Sequence, residues 1–336
     1  MVRTVSVRRA RREDLDALSL LHRRLLRFHE DLDRRFGLDL VGLSCLEEIL
    51  APLLAKEGWA TFVAQGDDIL GFITGRVVED GYGFVEDIFV EERARRQGIG
   101  RVLFSSLCEW FKESGVRVVQ TYVACRNEEA QAFWRGLGFQ DFFGKLWHEV
   151  SRKRPVMREN LSIFLRPAEL RDERDISNFQ RQMMMAEMAL DPRAKLFSER
   201  LKLLQWDLTH WLGRDDCRVL VAESLEEEMV GYIAGHIAAT APVFFLSQRG
   251  HISDIYVSQE RRRKGIGGRL YLELEDWYRR EGIPVALVEI LHKDALSQRF
   301  FKGLGFEDYV NCLWYDLGRL GKTSELEKGR LGIALD

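Results

Sequence analysis

Apolar and polar positions follow one another in an order that is run through twice. Val5 to Arg9 alternates as a strand, and Arg12-Glu13-Asp14 opens a helix that brings Leu15, Leu18, Leu21 and Leu25 onto one face. Two strands follow, Ala60 to Ala64 and Ile69 to Val78, parted by Gln65-Gly66-Asp67-Asp68, a hairpin signal that predicts antiparallel pairing. Gly83 to Val90 reads as a strand that runs through a loop, Arg95 to Gly100, into a helix with Leu103, Leu107, Trp110 and Phe111 as its buried face. That helix stops at Gly115. Val116 to Val123 is a further strand, Glu128 to Gly136 a short helix, and Phe139 to Val150 a final strand or strand pair. The fold class this predicts is α/β, in the α+β sense of a mixed sheet wrapped by about four helices.

The second pass begins at Leu161. Gly98-Ile99-Gly100 recurs as Gly265-Ile266-Gly267, Gly136-Leu137-Gly138-Phe139 as Gly303-Leu304-Gly305-Phe306, and Leu146-Trp147 as Leu313-Trp314, all at a shift of 167. Upstream the shift is smaller: Asp33 matches Asp191 at 158, and Gly71 to Gly75 matches Gly231 to Gly235 at 160. The second copy therefore carries an insertion of seven residues around Thr240 to Arg249. A length of 336 residues, about twice the commonest domain size, agrees with two domains. The expected division is 1–150, a charged linker at 151–160 (Ser151-Arg152-Lys153-Arg154-Pro155 onward), 161–320, and a polar tail at 321–336.

Composition narrows the setting. With 46% hydrophobic and 31% charged residues, and no apolar run near the ~20 residues of a membrane span, the chain reads as soluble and globular. Met1 to Arg12 lacks the apolar stretch of a secretory signal, so a cytoplasmic protein is the default expectation. A net charge of −3 offers no overall attraction to nucleic acid or to an anionic membrane. The local basic groups, Arg8, Arg9, Arg11 and Arg12, and Arg152, Lys153, Arg154 and Arg158, lack interleaved aromatics and are expected to be solvated. Five scattered cysteines, Cys45, Cys108, Cys125, Cys217 and Cys312, speak for buried free thiols and against a disulfide framework or a metal site.

A glycine-rich turn from strand to helix presents unpaired backbone amides at the positive end of the helix, which suits an anion. Gly98 and Gly100 allow a tight turn and close approach, and Arg95, Arg96 and Arg101 add charge. The dinucleotide fingerprint belongs after a first parallel strand and a P-loop needs Gly-Lys-Ser/Thr, so neither fits. What both halves resemble over nearly their whole length is the GNAT acyltransferase family. Its Arg/Gln-x-x-Gly-x-Gly/Ala signature follows a strand ending in Ile88-Phe89-Val90 in one copy and Ile255-Tyr256-Val257 in the other. Its second motif is seen as Asn127-x-x-Ala130-x-x-Phe133-Trp134, closed by Gly138-Phe139.

The resemblance implies two tandem GNAT acyl-CoA N-acyltransferase domains using acetyl-CoA. Its pyrophosphate would lie on Arg95, Arg96, Gln97, Gly98, Ile99, Gly100 and Arg101, and in the second copy on Arg262, Arg263, Lys264, Gly265, Ile266, Gly267 and Gly268. The pantetheine arm would pair with Ile88 to Val90 where that strand splays from Val119 to Val123, near Asn127. The implied reaction is direct attack of a primary amine, on a small molecule or a peptide or protein, upon the thioester. A base must take the ammonium proton, and backbone amides must polarise the carbonyl.

Glu86, Asp87 and Asp254 are the candidate catalytic carboxylates. Strict strand alternation sends Glu86 and Asp87 to opposite faces, and Glu86 is preferred for the first copy. In the second copy Ser253 replaces Glu86, leaving Asp254, His251 and Glu289. Trp134 and Phe301 stand where many family members have a tyrosine that protonates the leaving thiolate, a role that water or Tyr122 is left to fill. Asp294 replaces Asn127 in the second copy, so the first is expected to hold the better preserved site. His22 and His29 are expected at the surface or as caps, and Met183, Met184, Met185 and Met188 as helical packing. No metal is expected. The chain would act as a monomer, a pseudo-dimer in itself, or as a homodimer. A degenerate acyl-CoA-binding pseudoenzyme or sensor, with one lobe as scaffold, is the alternative.

Overall fold

The computed structural model describes residues 5–39, 43–78, 81–151, 162–195, 211–241, 244, 246–319 and 334–335. The first copy runs β1 (Ser6–Arg9), α1 (Leu15–Leu32), α2 (Leu46–Ala55), β2 (Trp59–Gln65), β3 (Ile69–Val77), β4 (Gly83–Val90), α3 (Ile99–Glu113), β5 (Val118–Ala124), α4 (Glu128–Gly136) and β6 (Gln140–Glu149). The second runs β7 (Ile163–Pro167), α5 (Glu173–Leu190), β8 (Cys217–Ser224), β9 (Met229–Ala239), β10 (Gln248–Val257), α6 (Ile266–Arg280), β11 (Val285–Leu291), α7 (Ala295–Gly303) and β12 (Glu307–Asp316). The predicted elements are present. The addition is α2, whose nearly uniform apolar face and internal Pro52 give no helical period to read. The charged stretch at 152–160 and the tail from 320 to 333 lie outside the described residues.

Contacts group the chain into two units, and these do not follow the order of the copies. The first comprises Met1–Phe142, Ala241–Phe245 and Val310–Asp336; the second comprises Phe143–Thr240 and Leu246–Tyr309. In the first unit β1, β2, β3 and β4 are antiparallel neighbours, β4 and β5 are parallel, and β12 closes the sheet antiparallel to β5. In the second, β7, β8, β9 and β10 are antiparallel, β10 and β11 are parallel, and β6 closes the sheet beside β11. Each copy's last strand thus completes the sheet of the other.

The exchange is chemically keyed. His148 on β6 and Tyr315 on β12 occupy the same position of the repeat, as do Glu275 on α6 and Cys108 on α3. In the second unit His148 Nε2 lies 3.1 Å from the Glu275 carboxylate, itself 3% exposed, and the ring stacks on Phe306. In the first unit Tyr315 stacks on Phe139 at 4.9 Å, and its neighbour on α3 is the buried Cys108, whose thiol is held far above its usual range by burial. With the strands kept in their own copies, Glu275 would face a phenol and a buried carboxylate would lose its cationic partner.

Both copies open with the same corner. Arg8 makes two 2.8 Å bonds to Asp14, and Arg166 bonds Asp172 at 2.7 and 2.9 Å, tying the first strand to the start of its helix. Arg9 lies over Phe62 and Trp110. Arg8 and Arg9 are therefore structural rather than simply solvated. The helices α3 and α6 each cover one face of their sheet, with Leu103, Leu107 and Phe111 in one core and Leu270, Leu274 and Tyr278 in the other. Cys108 and Cys312 are buried thiols outside any disulfide, whereas Cys45, Cys125 and Cys217 are half-buried.

The keyed strands make a testable difference. Burial is the largest single influence and opposes the His148 proton, but the hydrogen bond and charge of Glu275, with Gly305 and Glu149, together outweigh it and raise the imidazole above its ordinary 6.5. The stabilisation is then full below pH 6.5 and is lost as pH rises through the raised value. His148→Tyr should cost roughly 3 kcal/mol at pH 6 by stranding a buried carboxylate. Adding Glu275→Cys should recover most of that loss and remove the alkaline slope, as read from urea-unfolding midpoints between pH 5 and 9.

Candidate functional site

In the first unit the parallel pairing of β4 with β5 lasts for three residues, Gly83 to Val85 against Val119 to Thr121, and then stops. The Thr121 hydroxyl donates to the Val85 carbonyl at 3.1 Å, at the last paired position. A bulge lies just past it: on β3, Gly75 faces Val85 and Thr74 faces Asp87, so Glu86 is the extra residue. From there Ile88 to Val90 run on without β5, leaving a strand edge free for an extended ligand.

The bulge also overturns strict alternation. Val85, Ile88 and Val90 pack toward α3, and Phe89 packs toward α1. Between them Glu86 pairs with Arg76, whose guanidinium lies 5.4 Å from the Phe84 ring and 5.8 Å from Trp59. Asp87 faces His22 on α1 at 3.6 Å. Both carboxylates turn to the α1 side, because a bulge puts two residues opposite one. Burial pushes the Glu86 carboxyl up, outweighing Arg76, and Asp87 adds to the rise. Burial also pushes on Asp87, but His22 and His29 leave its carboxyl below the ordinary value.

His22 is not the surface group expected from the sequence. It is 6% exposed, stacked 4.0 Å from Phe72, with Nδ1 on the Leu18 carbonyl at 2.9 Å. Nδ1 must therefore donate, which aims Nε2 at Asp87. His29, one helical repeat on, is depressed by burial against the pull of Asp87. Tyr122, 39% exposed, packs edge-on against Phe84 at 5.0 Å just where β5 leaves β4. Trp134 and Phe301 are 2% and 1% exposed, so their positions point into the core.

Beyond the open edge comes the glycine loop. Arg96 takes φ 62° and Gly98 φ 83°, left-handed positions that turn successive amides toward one concavity. Among the described residues, the amides of Arg96, Gln97, Gly98, Ile99 and Gly100 have no protein acceptor. Arg95 is tied to the strand end, with Nε on the Val90 carbonyl at 3.0 Å and its head over Phe89. Arg96 is 87% exposed and pairs with Glu129 at 3.3 Å, and Arg101 is also exposed at the mouth. Ile99 is 2% exposed and belongs to the core. The missing Cβ of Gly100 also serves packing, because a Cβ there would stand 3.2 Å from the Phe133 ring and keep α3 from approaching α4.

The second unit repeats this frame. Pairing of β10 with β11 ends at Ile252 and Val288, and Ser253 is the extra residue of the bulge. Arg263 takes φ 62° and Gly265 φ 80°, and Arg262 Nε holds the Val257 carbonyl at 2.9 Å. Ile255 and Val257 pack toward α6, while Tyr256 turns the other way and donates to Gln182 at 2.7 Å. Lys264 is exposed, Ile266 is buried, Gly267 meets Phe300, and Gly268 has open space. The side chains at the splay differ. Asp254, raised by burial, accepts from Gln180 at 3.1 Å where Asp87 has His22. Glu289 pairs with Lys145 at 2.8 Å, and His251 is pushed down to about 4 by burial.

Asp294 is no defect of the second copy. Asn127 caps α4 by accepting from the Ala130 amide at 3.0 Å, and Asp294 caps α7 through the Leu296 and Ser297 amides at 3.1 and 3.0 Å. Sequence reasoning missed three other participants, Arg76, His22 and His236; the last lies 3.0 Å from Ser253. Their signal was positional: Arg76 and His236 are equivalents at the shift of 160. Of the methionines, Met183 packs toward Tyr232 and Met185 is 61% exposed. Among the described residues no cluster of metal-binding side chains occurs, and no helix is long and apolar enough to cross a membrane.

Comparison with known proteins fits this frame. The family model described as the acetyltransferase (GNAT) family matches residues 26–139 and again 183–306. The fold is similar to that of a GCN5-related N-acetyltransferase from Sphaerobacter thermophilus, at a TM-score of 0.58 and 16% identity over 93% of this chain and 96% of that one. It is also similar to a tandem GNAT protein from the clavulanic acid biosynthesis pathway, at 0.51 and 16% over 94% and 100%. An uncharacterised N-acetyltransferase of Methanocaldococcus jannaschii is 35% identical over 57 residues, which are 17% of this chain and 25% of that protein. With the family model matched once in each copy, the chain belongs to the GNAT acetyltransferase family as a tandem duplication.

Proposed function

We propose that the protein is an N-acyltransferase that moves an acetyl or related acyl group from acyl-CoA to a primary amine by direct attack. One observation carries this reading: in the first unit a strand edge freed at Val85 leads directly into five unpaired loop amides, with Glu86 and Asp87 on one face at the point of departure. The amides of Arg96 to Gly100 suit a diphosphate, and Arg96 and Arg101 add charge to it. The edge of Ile88 to Val90 suits an amide-bearing arm.

Glu86 takes the ammonium proton, since an amine with an ordinary pKa of about 10.4 must lose one before it attacks. Asp87, 3.6 Å from His22, is a second carboxylate near the same point. Tyr122 or water protonates the leaving thiolate, a step eased by a thiol pKa near 8.5. The acceptor is a small-molecule or peptide amine.

Acetyl-CoA binding and thiol release should be measured against a panel of primary amines, on the intact chain and on Gly98→Trp and Gly265→Trp. Both glycines sit at left-handed φ, so a large side chain there distorts the loop. Gly98→Trp should abolish first-unit turnover and weaken CoA binding to that unit at least tenfold without a matching loss of thermal stability. CoA bound with no amine turned over would favour a sensor over an enzyme.

Glu86→Gln gives a second test. Turnover by the first unit should fall by ~10²-fold or more, with little change in the KM for acetyl-CoA. Because the Glu86 carboxyl is raised, wild-type activity should begin to climb at a pH above the ordinary carboxylate range, and the variant should lack that limb.

A further inference from the structure

The second unit departs from the first by a paired exchange rather than by loss. Where the first unit spans its bulge with Arg76 and Glu86, the second has His236 and Ser253, and the cross-strand bond is retained with Nδ1 and Oγ 3.0 Å apart. Ser253 is the residue extruded by the bulge, the first on β10 beyond its last pair with β11. It therefore stands where Glu86 stands.

Burial depresses the His236 imidazole, against the pull of Asp216 and with the help of Arg214, so near neutral pH it is a free base. In the tautomer that carries its own proton on Nε2, the neutral ring accepts the hydroxyl's proton at Nδ1. The serine oxygen keeps its lone pairs for a donor in the cleft, and an alkylammonium is such a donor. The groups around the ring are His251 at 5.0 Å, Trp211 at 5.8 Å, Cys217 opposite it on β8, and Asp216 with Arg214.

We propose that the second unit is a second acyl-transfer site in which Ser253 relays the acceptor's ammonium proton to His236. This rests on the acyl-transfer reading above. An ammonium N–H bond breaks and a serine O–H forms, while the original hydroxyl proton moves to Nδ1. The freed amine attacks the thioester carbon; the new C–N bond replaces the C–S bond, and as the adduct collapses the nitrogen's second proton passes through solvent to the departing thiolate, leaving an amide and a free thiol. The imidazolium then returns its proton to solvent. Ser253 is the catalytic residue and His236 acts through it. The rival base is Glu187 on α5, whose carboxyl is raised to about 7 by burial and by Asp254 and Asp294.

The test uses the full chain with the first site closed by Gly98→Trp, assayed for thiol release from acetyl-CoA with the same amine panel. Residual turnover should persist. Ser253→Ala and His236→Gln should each reduce its kcat by ~10²-fold with the KM for acetyl-CoA unchanged, and Ser253→Thr should restore it. The rising limb of the pH profile should vanish in His236→Gln. Residual turnover that ignores both changes, or that falls only in Glu187→Gln, overturns the relay. So does its complete absence when the intact chain is active. An intact chain that binds acetyl-CoA but turns over no amine brings down the acyl-transfer reading itself, a result distinct from either.

Discussion

Everything at the two sites depends on a parallel strand pair that is abandoned after three residues. Parallel pairing is normally carried along the length of a strand, because each lost ladder bond strands a donor or an acceptor. Here a one-residue bulge on the opposite side of β4 bends the strand away from β5, and the same happens at β10 and β11. The cost is a stretch of strand without its ladder partner, beside a helix N-terminus whose amides are unpaired. A ligand with amides and phosphates would satisfy both at once, and under the proposed function a local defect of the sheet becomes the recognition surface.

Much of this was legible in the chain. The repeat, the strand and helix order, the glycine loop and the candidate carboxylates all rest on local pattern, which survives folding. What was hidden depends on a single residue of register. Nothing in Val85-Glu86-Asp87-Ile88 announces that the strand holds one residue too many, so alternation assigned Glu86 and Asp87 to opposite faces. The role of His22 was hidden for a related reason: its partner Asp87 lies 65 positions away in sequence and turns toward it only because of the bulge. Asn127 and Asp294 look different as letters but act alike as caps, which is why the change between them misled.

The two copies keep their frame and vary their fittings. The Arg8 and Asp14 corner recurs as Arg166 and Asp172, and a buried Asp33 held by Arg35 and Arg126 recurs as Asp191 held by Arg193 and Lys293. These pairs fix where the first helix ends relative to the loop that precedes α4 or α7. At the splay the residues change in matched groups: Arg76 and Glu86 become His236 and Ser253, and His22 and His29 become Gln180 and Glu187. The frame thus persists while the fittings at each splay change in pairs.

The exchanged strands bear on how such a gene can be rearranged. A copy whose last strand serves its neighbour is not a transferable module. Cut at the natural seam, it leaves β5 or β11 with an exposed edge and carries away a strand marked for another partner, His148 for Glu275 or Tyr315 for the Cys108 side. Shuffling one copy into a different protein would thus import an unmatched buried charge as well as an open edge. The duplication has become a single heritable piece, in which drift at one seam is checked by the residue it meets in the other half.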